Sequence, residues 1–200
     1  MATAVLPGGS NIRDLRLAIE IAADDVTRAL NRKRPFASPY RELWRGQILF
    51  RPMTRAEQDA LLAALEALEG RSLPFKIELK AGKFSRASTP TTCTVVSAVR
   101  GASTIGLNLG SSGSTVKRGT LITVGNIDAG DFQLFEVVED VTASTSATVR
   151  VAPRARHAFS GGTAGAVGAV FAKLKLAESK ADAQADLSSG VVAIDVVEAL

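Results

Sequence analysis

Histidine, cysteine, tryptophan and tyrosine each occur once in this 200-residue chain, and aromatic residues make up only 5% of it. Each shortage excludes a class of chemistry. With His157 as the sole imidazole, no pair of histidines can chelate, which removes the usual transition-metal ligand sets. A serine triad would need His157 as its base, yet it stands in the connector RARHAFSGG and no G-x-S-x-G motif is present. Cys93 alone forms neither an intramolecular disulfide nor a thiolate zinc site, and reads as a buried strand residue. So few aromatics leave no stacking platform for single-stranded nucleic acid. No apolar run approaches the roughly 18 residues of a spanning helix. The start, MATAVLPGGSN, lacks the basic residues and long apolar stretch of a secretory signal, so a soluble protein made in a cytoplasm and without membrane insertion is expected.

What is present suits an ordinary folded core: 46% hydrophobic and 22% charged residues, in a length that fits one domain or one domain with a sizeable insertion. The net charge of +4 is dispersed, apart from Arg28, Arg32, Lys33 and Arg34 and the cluster Arg150, Arg154 and Arg156. Such an excess reads as solvated surface or subunit contact. Carboxylates pair at Asp24–Asp25, at Glu136 with Glu139–Asp140, and at Asp128 with Asp131 around Gly130. Turn aspartates of the last kind hold their own backbone, and DAGD is too sparse for a calcium loop. GLNLGSSGS lacks the Lys-Ser/Thr ending of a phosphate loop and leads into another strand. No catalytic, cofactor-binding or metal-binding residue is therefore assigned, and the chain is not expected to be an enzyme.

The firmest structural signal runs from Glu42 to Leu79 and predicts strand, helix, strand. Leu43, Arg45, Gln47 and Leu49 alternate with Trp44, Ile48 and Phe50 up to Pro52. Thr54 followed by Glu57 makes a capping box, and Leu61, Leu65 and Leu68, with Ala64, form an apolar stripe widened by Leu62. The helix is expected over 54–69, closed by a left-handed Gly70 before Pro74. Phe75, Ile77 and Leu79 then alternate with Lys76 and Glu78.

Upstream, residues 1–11 read as an arm, and Leu15, Leu17, Ile19 and Ile21 alternate with Arg16, Ala18, Glu20 and Ala22 as a strand. A helix through Asp24–Leu30 and an exposed loop over Asn31–Pro39 complete that part. Beyond Leu79 a connector over 81–92 precedes short β-rich runs at Cys93–Val99, Thr104–Leu109, Thr120–Val124, Phe132–Val138 and Ala147–Val151, separated by glycines. Such spacing predicts a small sandwich or barrel inserted into the first domain. Ser160–Gly168 reads as a glycine-rich passage back, followed by strands at 169–176 and 191–197 with a polar loop, Glu178–Ser189, between them. The expected organisation is a domain made of 1–80 and 169–200, with an inserted β-rich module over 81–168.

The succession WRGQILFRPMTRAEQDALLAALEALEG at 44–70, KRGTLITVG at 117–125, QLFEVVEDV at 133–141, ATVRVAPRAR at 147–156 and AVFAKLKL at 169–176 resembles distal tail proteins, the tail-hub or baseplate-ring family of long-tailed bacteriophages. The resemblance implies a mainly β, tail-tube-like sandwich or barrel with one packed helix, carrying a small inserted β-barrel or sandwich. It further implies a homo-oligomer, a hexameric ring at the tail tip of the virion. Such a ring joins the tail tube protein to the hub and tip fibres, and DNA passes through its lumen without specific binding. No cofactor is implied. In that setting Leu61, Leu65 and Leu68 are the structural core of the helix, and Arg32, Lys33, Arg34 and Trp44 are candidate contacts between subunits or rings, together with the leader 1–11 and the connector 81–92. Two alternatives stand beside it: another tail-ring component, such as the tube subunit or terminator, and a nucleic-acid-binding β-barrel using Arg150, Arg154 and Arg156.

Overall fold

The computed structural model describes residues 4–5, 12–23, 40–51, 54–68, 73–79, 91–109, 115–142, 145–167, 170–177, 184–186 and 191–199. The chain is mainly β with one helix among these residues, and its strands sort into a curved half-barrel sheet and a closed six-stranded barrel.

The sheet takes its strands from both ends of the chain. These are β1 (Ala4–Val5), β2 (Ile12–Ala23), β3 (Tyr40–Phe50) and β4 (Phe75–Leu79) from the first part, and β13 (Val170–Leu176), β14 (Gln184–Asp186) and β15 (Val191–Glu198) from the last. Their spatial order is β1-β4-β13-β15-β3-β2, with β14 also paired to β15. All neighbours are antiparallel except β1 and β4. Alternation along each long strand explains the layer. Phe75, Ile77 and Leu79, Val170, Ala172, Leu174 and Leu176, Val192, Ile194 and Val196, and Trp44, Ile48 and Phe50 are all buried. The intervening residues turn outward or lie half-buried.

Helix α1 (Arg55–Glu66) covers that buried face. Thr54 is its N-cap, the Glu57 carboxylate accepts from the Thr54 N–H at 2.8 Å, and the expected capping box is present. Leu61, Leu65 and Leu68 are buried in one core with the sheet, as the stripe predicts. The helix ends earlier than 69, however. Ala67 is the C-cap with right-handed backbone, and Leu68 N–H bonds the Leu65 carbonyl in a tightened last turn, while Gly70 lies outside the described residues.

The barrel consists of β5 (Thr91–Ser97), β6 (Thr104–Asn108), β8 (Leu121–Asn126), β9 (Asp131–Val137), β11 (Ser146–Ala152) and β12 (Ala164–Val167). They close in the order β11-β6-β5-β12-β8-β9, and a two-stranded ribbon of β7 (Thr115–Val116) and β10 (Val141–Thr142) lies beside them. Its core holds Val95, Ile105, Leu107, Ile122, Val124, Phe135, Val137, Val149 and Val151, with Cys93 among them. Phe132 is buried as well.

Four expectations need correction. The passage 160–168 contains β12, the strand that closes the barrel by pairing with β5 on one side and β8 on the other. Gly165 explains why a hydrophobic pattern is missing there: a Cβ at this position would lie 2.8 Å from the Cys93 Sγ, so the thiol fills the space a side chain would take. The segment 178–189 contains β14, and the arm 1–11 contains β1, each too short to show alternation. The first barrel strand also begins at Thr91, within the expected connector. The helix expected over 24–30 and the loop over 31–39 lie outside the described residues.

Candidate functional site

Beyond its last rungs β15 stops while both neighbours run on, β3 back to Tyr40 and β13 back to Val170. β15 pairs with β3 only from Arg45 to Leu49, and with β13 only from Leu174 to Leu176. A notch is left between β3 and β13, and the barrel sits in it. Leu121 of β8 and Leu134 of β9 are buried in the core of the sheet, not in that of the barrel.

Polar contacts ring this apolar plug. The Trp44 indole Nε1–H donates to the Leu134 carbonyl at 3.0 Å, and the Trp44 backbone N–H donates to Glu198 Oε2 at 3.1 Å. Arg156 Nη2 donates to that same Glu198 oxygen at 2.5 Å and to the Glu42 carbonyl at 3.0 Å. The Thr123 hydroxyl donates to the Phe171 carbonyl at 3.0 Å and accepts from the Phe171 N–H at 2.9 Å. Gln133, buried on β9, holds the segment that carries Arg156: its Nε2–H donates to the Arg154 carbonyl and its Oε1 accepts from the Arg156 N–H, both at 2.9 Å. Arg154 adds an N–H to Glu42 Oε2 at 2.7 Å and an ion pair to Oε1 at 3.6 Å.

The electrostatics follow from burial. The Glu198 side chain is only 5% exposed and that of Arg156 21%, so each charge depends on the other. Desolvation raises the Glu198 carboxyl above its ordinary value, against the opposing pull of the Arg156 hydrogen bond and charge and of the Trp44 N–H. Cys93, buried behind Gly165, is pushed up to about 11 by desolvation and is protonated at neutral pH.

A second feature is the edge of the sheet. β2 is 12 residues long and, among the described residues, pairs only with β3. Its inward row, Leu15, Leu17 and Ile19, is half-buried against the core, while Arg13, Arg16 and Glu20 point out. Gly46 allows β3 to approach it: a Cβ there would lie 1.7 Å from the Arg16 carbonyl oxygen. On the face turned away from the helix, charged and polar side chains pair with one another. Arg45 meets Glu20 at 3.3 Å and Gln47 donates to Asp195 at 3.1 Å, with Lys173 and Lys175 on the neighbouring strand.

The residues singled out from sequence fall in different places. Trp44 is 3% exposed and bound inside the chain, so its expected role as a contact to another subunit is replaced by one at the notch. Of the three arginines read as surface, Arg150 and Arg154 are exposed but Arg156 is drawn into the buried pair. Arg32, Lys33 and Arg34 lie outside the described residues. His157 is exposed, with its ring edge-to-face against Phe159. In the turn around Gly130 the backbone is held by Asn126, whose Oδ1 accepts from Asp128 and Ala129, rather than by the aspartates. Among the described residues no group of three or more His, Cys, Asp and Glu side chains is placed to hold a metal ion, and no helix is long and apolar enough to cross a membrane. Sequence reasoning missed Glu198, Gln133 and Thr123, which carry no local motif. A search of protein-family models and one of curated proteins return no match to this chain.

Proposed function

We infer that this chain is a structural subunit that closes into a ring, the distal ring of a phage tail, joining the tail tube to the hub and tip fibres around a channel for DNA. The observation that carries this reading is the contrast between the two units. The barrel has no edges, whereas the sheet ends in a long strand whose outer side meets no described strand. Exposed edges of that length are managed by covering or by pairing, and cyclic closure by copies of the same chain leaves none free. The charged outward row of β2 selects against indiscriminate pairing. The half-buried Leu15, Leu17 and Ile19 would gain further burial against a neighbour.

The helix leucines and the barrel's Leu121 and Leu134 share the core on one side of the sheet, and in this reading the opposite, polar face lines the channel. That face is of mixed sign with partners at hydrogen-bond range, which suits passage of a polyanion without retention. The fold class and the resemblance of the 44–176 segments to distal tail proteins support the same reading. Electron micrographs of the purified chain test it. Closed rings with an open centre are expected; long filaments would identify a tube subunit instead, and dispersed compact monomers would overturn ring formation.

A further inference from the structure

Four main-chain groups border the notch beyond the end of β15. On β3 they are the Trp44 N–H and the Glu42 carbonyl; on β13 they are the N–H and carbonyl of Phe171. In an uninterrupted sheet another strand would satisfy them, because buried backbone groups left unpaired are costly. Here side chains stand in for that strand. Glu198, the last residue of β15, accepts from Trp44; Arg156 donates to Glu42; the Thr123 hydroxyl serves both groups of Phe171. Two of these three side chains belong to the barrel unit, and the third is paired to one of them.

We propose that this splice locks the barrel onto the sheet, so that the two units move as one rigid body and the barrel stands at a single fixed angle to the sheet rather than swinging as a tethered module. The geometry is directional on both flanks of the notch: Thr123 fixes the β13 side and Arg156 the β3 side, with the Trp44 indole on the Leu134 carbonyl between them. A hinge motion would break all of these at once and expose Leu121 and Leu134. Gln133 holds the Arg156 segment by both ends of its amide and makes the guanidinium a preset element of the lock. The lock does not depend on ring formation and stands or falls separately from it.

Hydrogen exchange on the full chain tests it. In a locked molecule the Phe171 amide, whose acceptor Thr123 belongs to the barrel, exchanges within about tenfold of the ladder amides of β15 and β8, because the notch opens only when those strands do. Exchange at Phe171 that is more than about tenfold faster than in those ladders would show the barrel lifting off and overturn the proposal. As Trp44 is the sole tryptophan, its fluorescence reads the same joint. Thr123→Val combined with Arg156→Ala is expected to shift its emission to the red and admit iodide while the far-ultraviolet β signal persists. A double variant with unchanged emission and unchanged exchange would contradict the lock. Should that variant fail to fold, the wild-type exchange pattern decides alone.

Discussion

Burial and charge pull Glu198 in opposite directions, and the sign of the balance is measurable. Its carboxyl sits above the ordinary value of 4.5 because desolvation outweighs Arg156 and the Trp44 N–H. The folded state therefore holds this proton more tightly than the unfolded chain. The stabilisation from Glu198 is complete below its unfolded value and is lost as pH rises through the raised folded one. Urea unfolding of the wild type and Glu198→Gln should show the wild-type advantage shrinking as pH climbs from 4.5; an advantage that grows with pH contradicts the assignment. At Trp44 the indole N–H binds a buried carbonyl. Trp44→Phe leaves the Leu134 oxygen unsatisfied and should cost about 1–3 kcal/mol by the same measurement. Neither role was legible from sequence. Arg156 and Glu198 lie 42 residues apart, and nothing near RAR distinguishes the half-buried arginine from the two that are exposed. Trp44 was placed on the correct strand face, but whether that face meets its own barrel or another subunit is a fact of tertiary packing.

Elements with one buried and one solvated face announced themselves. β3, β4, β13 and β15 and helix α1 were all read from periodicity, because each packs a single row of apolar side chains into one core. The helix allows two comparisons. Thr54→Ala removes the cap and should lower stability by about 1 kcal/mol, whereas Leu65→Ala, at 1% exposure, should lower it by about 2–5 kcal/mol. Elements whose stability comes from neighbours gave no such pattern. β12 is four small residues around Gly165, and what defines it is the Cys93 sulfur beneath. A double-mutant cycle checks this: Gly165→Ala destabilises by roughly 1–3 kcal/mol through overpacking, and adding Cys93→Ala recovers part of the loss. Strict additivity of the two would mean that the sulfur and the missing Cβ do not share the space.

At the scale of the molecule, a closed barrel packs against a sheet whose long edge strand β2, among the described residues, pairs on one side only, and the proposed ring would form through that edge. The mainly β fold with one packed helix was legible, as was a barrel or sandwich between the sheet segments, because turn residues recur at short intervals there. The seam between the two units was not, since it joins residues from six separate stretches through hydrogen bonds that leave no periodic trace. Gly46 gives a test of the proposed assembly through that edge. Gly46→Ala drives a methyl into the Arg16 carbonyl and should part β2 from β3, so the variant is expected to lose oligomers while its barrel stays folded. The most direct measurement is the native mass of the purified chain at micromolar concentration. A closed hexamer predicts a single species six times 20.9 kDa, about 125 kDa, reduced to monomer in Gly46→Ala. A wild-type protein that stays at 20.9 kDa across that concentration range would contradict the account.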